Sequence, residues 1–205
     1  MPILKQNESS YKNIEPGTHP ARCYGMISLG TQPSGVEKYS PSFQALLLFE
    51  FPSEIIEVNG EKKPMSTNHY IKAYLGSVRK PSKTNLFLTS WRGRAFTDVE
   101  LAGFDLAKVV GATCLLNIVH SNRNGKTREN IASISPLPKG MTLPIQFNQS
   151  IVYEIEEGRN EKFRALPEWI QKKIELCSEW TKPLTKEESQ HTHTKADEKF
   201  DDVPF

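Results

Sequence analysis

The chain of 205 residues lacks a long apolar run and has few cysteines. Its longest apolar run, ALLLFEF at 45–51, is interrupted by Glu50 and is far shorter than the roughly 20 residues of a membrane-spanning helix. The N-terminal MPILKQNESS has no apolar core of a signal peptide, so we expect no secretory signal. Cys23, Cys114 and Cys177 are far apart and have no C-x-x-C spacing, which favours three reduced, buried thiols in a cytoplasmic protein.

Common catalytic and metal-binding motifs are also missing. There is no H-E-x-x-H, no G-x-S-x-G and no phosphate-binding loop. His191 and His193 form an H-x-H, but two imidazoles without further ligands make a weak metal site. Asp98 and Asp105 stand next to predicted helix starts, where capping accounts for them. We therefore expect a protein that binds rather than catalyses, without cofactor or metal; a small nuclease would need a cluster of acids.

Acidic residues are scarce in the middle of the chain. Residues 62–139 contain 13 lysines and arginines and only four acids, a net charge of +9. Residues 181–205 contain four lysines and six acids, a net charge of −2. This distribution favours a polyanion as partner of the body and a separate partner for the C-terminal segment. The alternative is an ordinary solvated basic surface.

Alternation and turn signals predict three strands in the first part of the chain. Residues 1–17 are polar, and we expect them to be flexible. A strand from Thr18 to Gln32 contains Gly25, which suggests a bulge. A second strand, FQALLLFEF at 43–51, is apolar enough to be covered on both faces. A charged connection at 53–65 then leads to a third strand, STNHYIKAYLGS, at 66–77.

The next part changes to helical spacing and then returns to strands. A short helix is predicted after Ser82, and DLAKVV gives a second helical piece that ends at Gly111. A fourth strand at 112–121 and a fifth at 128–138 are joined through Asn124-Gly125, a strong hairpin signal. Three strands, a helical connection and a hairpin are the element order of the OB-fold, a five-stranded barrel. The predicted fold class is therefore mainly β, with an OB-fold domain at 18–160.

The C-terminal part predicts one helix and a tail. A further short strand is possible at 151–155. Residues 161–180 have the periodicity of an amphipathic helix that packs on the barrel rather than on a partner. Its apolar stripe consists of Leu166, Trp169, Ile170, Ile174, Cys177 and Trp180. Residues 181–205 have almost no core-forming side chains and are predicted to be a disordered tail.

An OB barrel binds ligands on the face of its second and third strands and on flanking loops. Tyr70, Lys72 and Tyr74 alternate along the third strand, so their rings could stack with bases while the cation meets phosphate. The alternatives are half-buried tyrosines and solvated cations. The complete predicted set for single-stranded DNA is Arg22, Tyr24, Tyr70, Lys72, Tyr74, Lys80, Lys83, Arg92, Arg94, Arg123, Lys126 and Arg128.

The motif SWRGRAF at 90–96 allows two interpretations. Trp91 and Phe96 are expected to lock the helix over the barrel, although Trp91 could instead stack with a base. Arg92 and Arg94 are expected to contact nucleic acid.

The last five residues, DDVPF, have the composition of a segment that a partner protein grips. Asp201 and Asp202 would be attracted to a basic surface, and Phe205 would fill an apolar pocket while its carboxylate pairs with a cation. Pro204 restricts the backbone between Val203 and Phe205, which lowers the entropy cost of binding.

DDVPF after a polar tail resembles the tip of bacterial single-stranded DNA-binding proteins. The body, with SWRGRAFTDVELAGFDLAKVVGATCLLNIVH and NGKTRENIASISPLPKGM, resembles phage-encoded proteins of the same role. The resemblance implies a protein that coats single-stranded DNA in replication, recombination or repair and recruits host or phage enzymes through its tip. Lys195 and Lys199 dilute the acidity of the tail, and the added C-terminal helix favours a monomer or homodimer over a tetramer. An RNA-binding OB-fold and an adaptor that binds only protein remain alternatives.

Overall fold

The computed structural model describes residues 12–36, 39–58, 60–123 and 125–181. Within them the strands are β1 (Gly17–Gln32), β2 (Ser42–Val58), β3 (Glu61–Lys72), β4 (Thr113–Arg123), β5 (Lys126–Ser135) and β6 (Ile151–Tyr153). The helices are α1 (Lys83–Arg92), α2 (Asp98–Ala102), α3 (Glu161–Ala165), α4 (Glu168–Glu175) and α5 (Ser178–Thr181), with short 3-10 turns at Leu106–Val109 and Ile155–Glu157.

Strands β1 to β5 form one curled antiparallel sheet, a half-barrel, in the order β3-β2-β1-β4-β5. β6 adds to it in parallel with β1, where Gly25 pairs with Ile151. A Cβ on Gly25 would lie 2.7 Å from the Ile151 side chain, so glycine permits this close approach. The register also shifts at Gly25, which confirms the predicted bulge. The predicted mainly β architecture is confirmed.

Each face of the sheet has its own apolar cluster. Along β2, Ala45, Leu47 and Phe49 belong to the cluster on the concave face, which α1 closes with Trp91. Leu46 alternates with them and lies in the cluster on the outer face. The outer cluster is covered by residues 151–181, which we call the C-terminal layer. The prediction that β2 is buried on both faces is therefore confirmed.

Local signals define α1 at both ends. The Ser82 hydroxyl accepts a hydrogen bond from the Asn85 N–H at 3.0 Å, and Gly93 adopts a left-handed conformation with φ of 67°. Trp91 is buried and donates from Nε1 to the Thr113 carbonyl at 2.9 Å. Phe96 is buried as well. Trp91 is thus a core residue, as expected for a side chain that locks the helix onto the sheet.

The predicted charged connection at 53–65 is wrong, because β2 and β3 continue through it as a two-stranded ribbon. β3 also ends at Lys72 rather than at 77. Glu57 pairs with Lys62 across the ribbon, and opposite charges facing each other stabilise such a pairing. The ribbon has little buried surface, so its sequence shows no apolar alternation that would have revealed it.

The predicted single helix at 161–180 is also wrong. Leu166 is extended with ψ of 148°, because a residue before proline disfavours helical geometry, and this separates α3 from α4. Ile170 and Ile174 of the apolar stripe are buried in the outer cluster, so the predicted packing on the sheet is confirmed. Trp169, in contrast, is exposed.

The expected looseness of the N-terminal segment does not extend to residues 12–16. Ile14 is buried, its N–H donates to Glu129 at 2.9 Å, and its carbonyl oxygen lies 2.7 Å from His120 Nε2. The chain therefore runs beside β5 before it enters β1.

Candidate nucleic-acid interface

Tyr70 and Lys72 lie on the outer side of β3. Ile71 between them is buried in the concave cluster, so alternation turns its neighbours outward. Tyr70 is 45% exposed, and partial burial raises the pKa of its hydroxyl. Lys72 is exposed as well. The predicted orientation of these two side chains is confirmed, and together they offer a neutral ring beside a cation.

Tyr74 does not continue this row as a strand residue. β3 ends at Lys72, and the Tyr74 N–H donates to the Lys72 carbonyl at 2.7 Å, which closes a three-residue turn. The prediction that alternation extends from Tyr70 to Tyr74 is therefore wrong. Tyr74 is nevertheless 68% exposed, and its carbonyl accepts a hydrogen bond from Ser82. The ring thus lies in solvent on a backbone fixed to the start of α1.

Lys80 is exposed on the connection that leads into α1, and Lys83 is exposed at the first position of α1. Ser77 and Lys80 exchange two backbone hydrogen bonds of 3.1 Å, which makes a tight turn. Gly76 has φ of 79°, and a Cβ there would collide with the Lys80 carbonyl. The turn therefore holds Lys80 in a defined position between Tyr74 and the helix.

A cleft separates β3 from β5, the two edges of the sheet, and we call it the seam cleft. It has a volume of about 600 Å³ and is lined by Thr67 and Asn68 of β3, by residues 126–129 of β5 and by Asn13 of the segment before β1. Lys126 and Arg128 are exposed there. Asn68 lies two residues from Tyr70 on the same face of β3. The hairpin cations and the β3 ring thus lie on one continuous surface.

Arg123 pairs with Lys126 at the tip of this hairpin, so the predicted hairpin is confirmed. The Arg123 side chain lies outside the described part of the structure.

Arg22 and Tyr24 are less exposed than the side chains of this surface. Arg22 is mostly buried and donates to the Pro144 carbonyl at 2.9 Å, with Glu50 at 3.9 Å. Tyr24 packs against the outer cluster. Burial raises the pKa of its hydroxyl, and a hydrogen bond with Ser66 partly opposes that shift. Neither side chain is fully exposed, although both belong to the set predicted to contact single-stranded DNA.

Arg92 is engaged within the protein, contrary to the expectation that it contacts nucleic acid. Its side chain is only 3% exposed, its guanidinium lies 4.4 Å from the Phe96 ring centroid, and it pairs with Glu100. Arg94 is more exposed but also binds Glu100, at 2.9 Å. The reason is the capping box of α2. The Thr97 hydroxyl accepts a hydrogen bond from the Glu100 N–H, and the Glu100 carboxylate accepts one from the Thr97 N–H, which places the carboxylate beside both arginines.

Sequence reasoning missed the segment between β5 and β6. Glu50 is completely buried, and its carboxylate accepts hydrogen bonds from Phe147 N–H at 3.1 Å and from Asn148 N–H and Nδ2 at 2.9 and 2.8 Å. This fixes the segment while the Ile145 and Phe147 side chains remain exposed. The available signal was Glu50 itself, because an acid inside an apolar strand needs several donors.

Within the described ranges, no three histidine, cysteine, aspartate or glutamate side chains come together as metal ligands. No helix in the same ranges has the length and apolar character to cross a membrane. Neither a scan against models of known protein families nor a search of curated proteins found a match.

Proposed function

We propose that this protein binds single-stranded DNA without sequence preference and acts by binding rather than by catalysis. The observation that carries the proposal is the surface shared by β3 and the β4–β5 hairpin. Tyr70 and Lys72 face outward on β3, and the seam cleft beside them contains Lys126 and Arg128. Rings stack with unpaired bases and cations neutralise phosphates, which is the combination that sequence-tolerant single-strand binding requires.

We further propose that the half-barrel is an OB-fold. The strand order β3-β2-β1-β4-β5, with α1 and α2 between β3 and β4, supports this assignment. In a closed barrel of this type β3 and β5 become neighbours. The seam cleft occupies that position here, so its cations lie where the two sheet edges face each other.

We propose a second interaction for the acidic end of the chain. Asp201, Asp202, Val203, Pro204 and Phe205 would recruit replication or repair enzymes, as in the bacterial proteins that DDVPF resembles. These residues lie outside the described part of the structure. The protein would work in the cytoplasm as a monomer or homodimer, in the manner of the phage-encoded proteins that its body resembles.

The direct test is a fluorescence titration with oligo-dT, oligo-U and duplex DNA of equal length at one fixed salt concentration. We expect oligo-dT to bind much more tightly than the duplex, because duplex bases are not free to stack. Preference for oligo-U would support the RNA-binding alternative instead. Equal affinity for all three, or no binding, would contradict the proposal, and no binding would leave the protein-only adaptor.

A further inference from the structure

A second cleft lies between the outer face of the sheet and the C-terminal layer, and we call it the Tyr24 cleft. Its volume is about 680 Å³. The sheet contributes Tyr24 and Leu48, and the C-terminal layer contributes Ile151, Leu166 and Pro167. The rest of the lining consists of Asn148, Gln149, Ser150, Val152, Glu161, Lys162 and Ala165. The cleft therefore combines apolar walls and one aromatic ring with a few polar groups and two charged side chains of opposite sign, a composition typical of a small-molecule site.

Hydrogen bonds hold the walls of this cleft in place. The buried Glu50 carboxylate fixes Asn148 through both its backbone and side-chain amides. Lys162 at the other side donates to the Val152 carbonyl at 3.2 Å and pairs with Glu157 at 2.9 Å. Such a site is formed before a ligand arrives, so little ordering cost opposes binding.

The Tyr24 cleft is continuous with the candidate nucleic-acid interface. Leu48, on its floor, pairs directly with Asn68 of β3. Asn68 also lines the seam cleft. Neighbouring strands lie about 4.8 Å apart, so the β1 side of the Tyr24 cleft is roughly 10 Å from β3. A single strand on the seam cations can thus reach it without leaving the protein surface.

The charges around the Tyr24 cleft favour the base of a nucleotide over its phosphate. The C-terminal layer, residues 151–181, contains seven acids and five lysines and arginines. The charged side chains in the cleft lining itself are Glu161 and Lys162, and Lys162 already pairs with Glu157. The seam cleft offers a phosphate two exposed cations beside one acid, Glu129, so a phosphate is more strongly attracted there. An uncharged planar base needs no such cations, and the Tyr24 ring gives it a stacking partner.

We infer that the Tyr24 cleft accepts one nucleobase of the bound single strand while the adjoining phosphates stay on β3 and the seam cleft. This inference rests on the proposed single-strand binding. The side-chain amide of Gln149 lies at the cleft, where it can meet the hydrogen-bonding edge of the base. The C-terminal layer thereby becomes part of the binding site rather than only a cover of the sheet.

The test compares oligo-dT with an oligonucleotide of equal length whose sugars carry no bases. In Ala165→Trp a bulky ring is added at an exposed residue that lines the cleft. Ala102→Trp adds the same ring at an exposed position on α2, outside the cleft. We expect Ala165→Trp to weaken oligo-dT binding by roughly tenfold, the effect of one lost base stack, without changing the affinity for the abasic strand. Ala102→Trp should leave both affinities as in the unmodified protein.

A second pair of variants removes rather than adds bulk. Tyr24→Leu should weaken oligo-dT binding to a similar extent, and Tyr24→Phe should keep the stacking surface and the affinity. Unfolding curves establish that all four variants are folded. Wild-type affinity of Tyr24→Leu for oligo-dT, or equal losses on oligo-dT and the abasic strand, would overturn the inference. A failure of the unmodified protein to bind oligo-dT at all would instead refute the proposed function.

Discussion

At the scale of single residues, Glu100 connects the end of α1 to α2. Burial opposes its ionisation, but hydrogen bonds from the Thr97 N–H, Arg92 and Arg94 outweigh burial and lower its pKa from 4.5 to about 2. We predict that Glu100→Gln lowers the free energy of unfolding at pH 7 by about 2–3 kcal/mol, because it leaves the buried Arg92 charge unpaired. Urea unfolding measures this loss.

The same pKa shift determines how the contribution of Glu100 to the free energy of unfolding depends on pH. The folded state holds Glu100 ionised at pH values where the unfolded chain already takes up the proton, so its contribution is complete above pH 4.5. It should fade as the pH falls toward 2, and the stability difference between Glu100→Gln and the unmodified protein should shrink over that interval. Asp98→Asn, an exposed acid in the same helix, is the control. A difference that stays constant from pH 7 to pH 3 would contradict the assignment.

Also at the scale of single residues, we predict that bases of the bound strand stack on the rings of Tyr70 and Tyr74. Each change to alanine should weaken oligo-dT binding by about 1–3 kcal/mol if a base stacks on that ring. Tyr70→Phe should retain the affinity, because the ring and not the hydroxyl makes the stack. Both rings are substantially exposed, so unfolding free energies should change little. Alanine variants that bind oligo-dT normally would exclude these rings from the interface.

At the scale of elements, the connection from β3 to α1 depends on Ser82. Its hydroxyl caps α1 at the Asn85 N–H and also holds the Tyr74 carbonyl. Ser82→Ala should therefore lower the free energy of unfolding by about 1 kcal/mol, the usual cost of a lost N-cap. Ser90→Ala, at an exposed position of the same helix, should change it by less than about 0.5 kcal/mol. Equal effects of both serines in urea unfolding would refute the capping role.

Elements with a buried face could be predicted from the sequence. Apolar spacing predicts β1 and the buried part of β2. Helical spacing after Ser82 predicts α1, and Asn124-Gly125 predicts the β4–β5 hairpin. The outer part of the β2–β3 ribbon could not, because it has little buried surface and its sequence shows no apolar alternation. The break between α3 and α4 before Pro167 could have been predicted, because the residue before a proline disfavours helical geometry.

The candidate site was predictable only where exposure follows from alternation. Tyr70 and Lys72 flank a buried isoleucine, which sets their direction. Arg92 could not be assigned in this way, because its partner Glu100 is brought to it by the fold of α2. The Tyr24 cleft depends on contacts between β1 and residues more than 120 positions later in the chain, which local patterns do not contain.

At the scale of the whole molecule, the two faces of the sheet are covered by different elements. The concave face is closed by α1, and the outer face of β1 and β2 is covered by the C-terminal layer. The outer side of β3 and the seam cleft remain open beside it. In the proposed function, single-stranded DNA binds to this open surface, and the acidic end of the chain is assigned to partner recruitment.

The proposed recruitment of enzymes by the acidic end of the chain can be tested with substitutions there. Asp201→Asn, Asp202→Asn and Phe205→Ala together should abolish capture of replication and repair enzymes from a cell extract, identified by mass spectrometry. The matched control, Lys195→Ala with Lys199→Ala, should retain capture. Affinity for oligo-dT should hold or rise slightly in the acidic variant, because fewer carboxylates compete with phosphate. Retention of the same enzymes by the acidic variant would show that these residues do not recruit them.

The central claim is that the β4–β5 hairpin and β3 hold the phosphates of a single strand. The most direct test is the salt dependence of oligo-dT affinity for Lys126→Ala with Arg128→Ala, compared with Lys172→Ala with Lys173→Ala on α4. Each lost phosphate contact should make the log–log slope shallower by about 0.7, so the hairpin variant should lose about 1.4 and the α4 variant nothing. An unchanged slope in the hairpin variant would contradict the account.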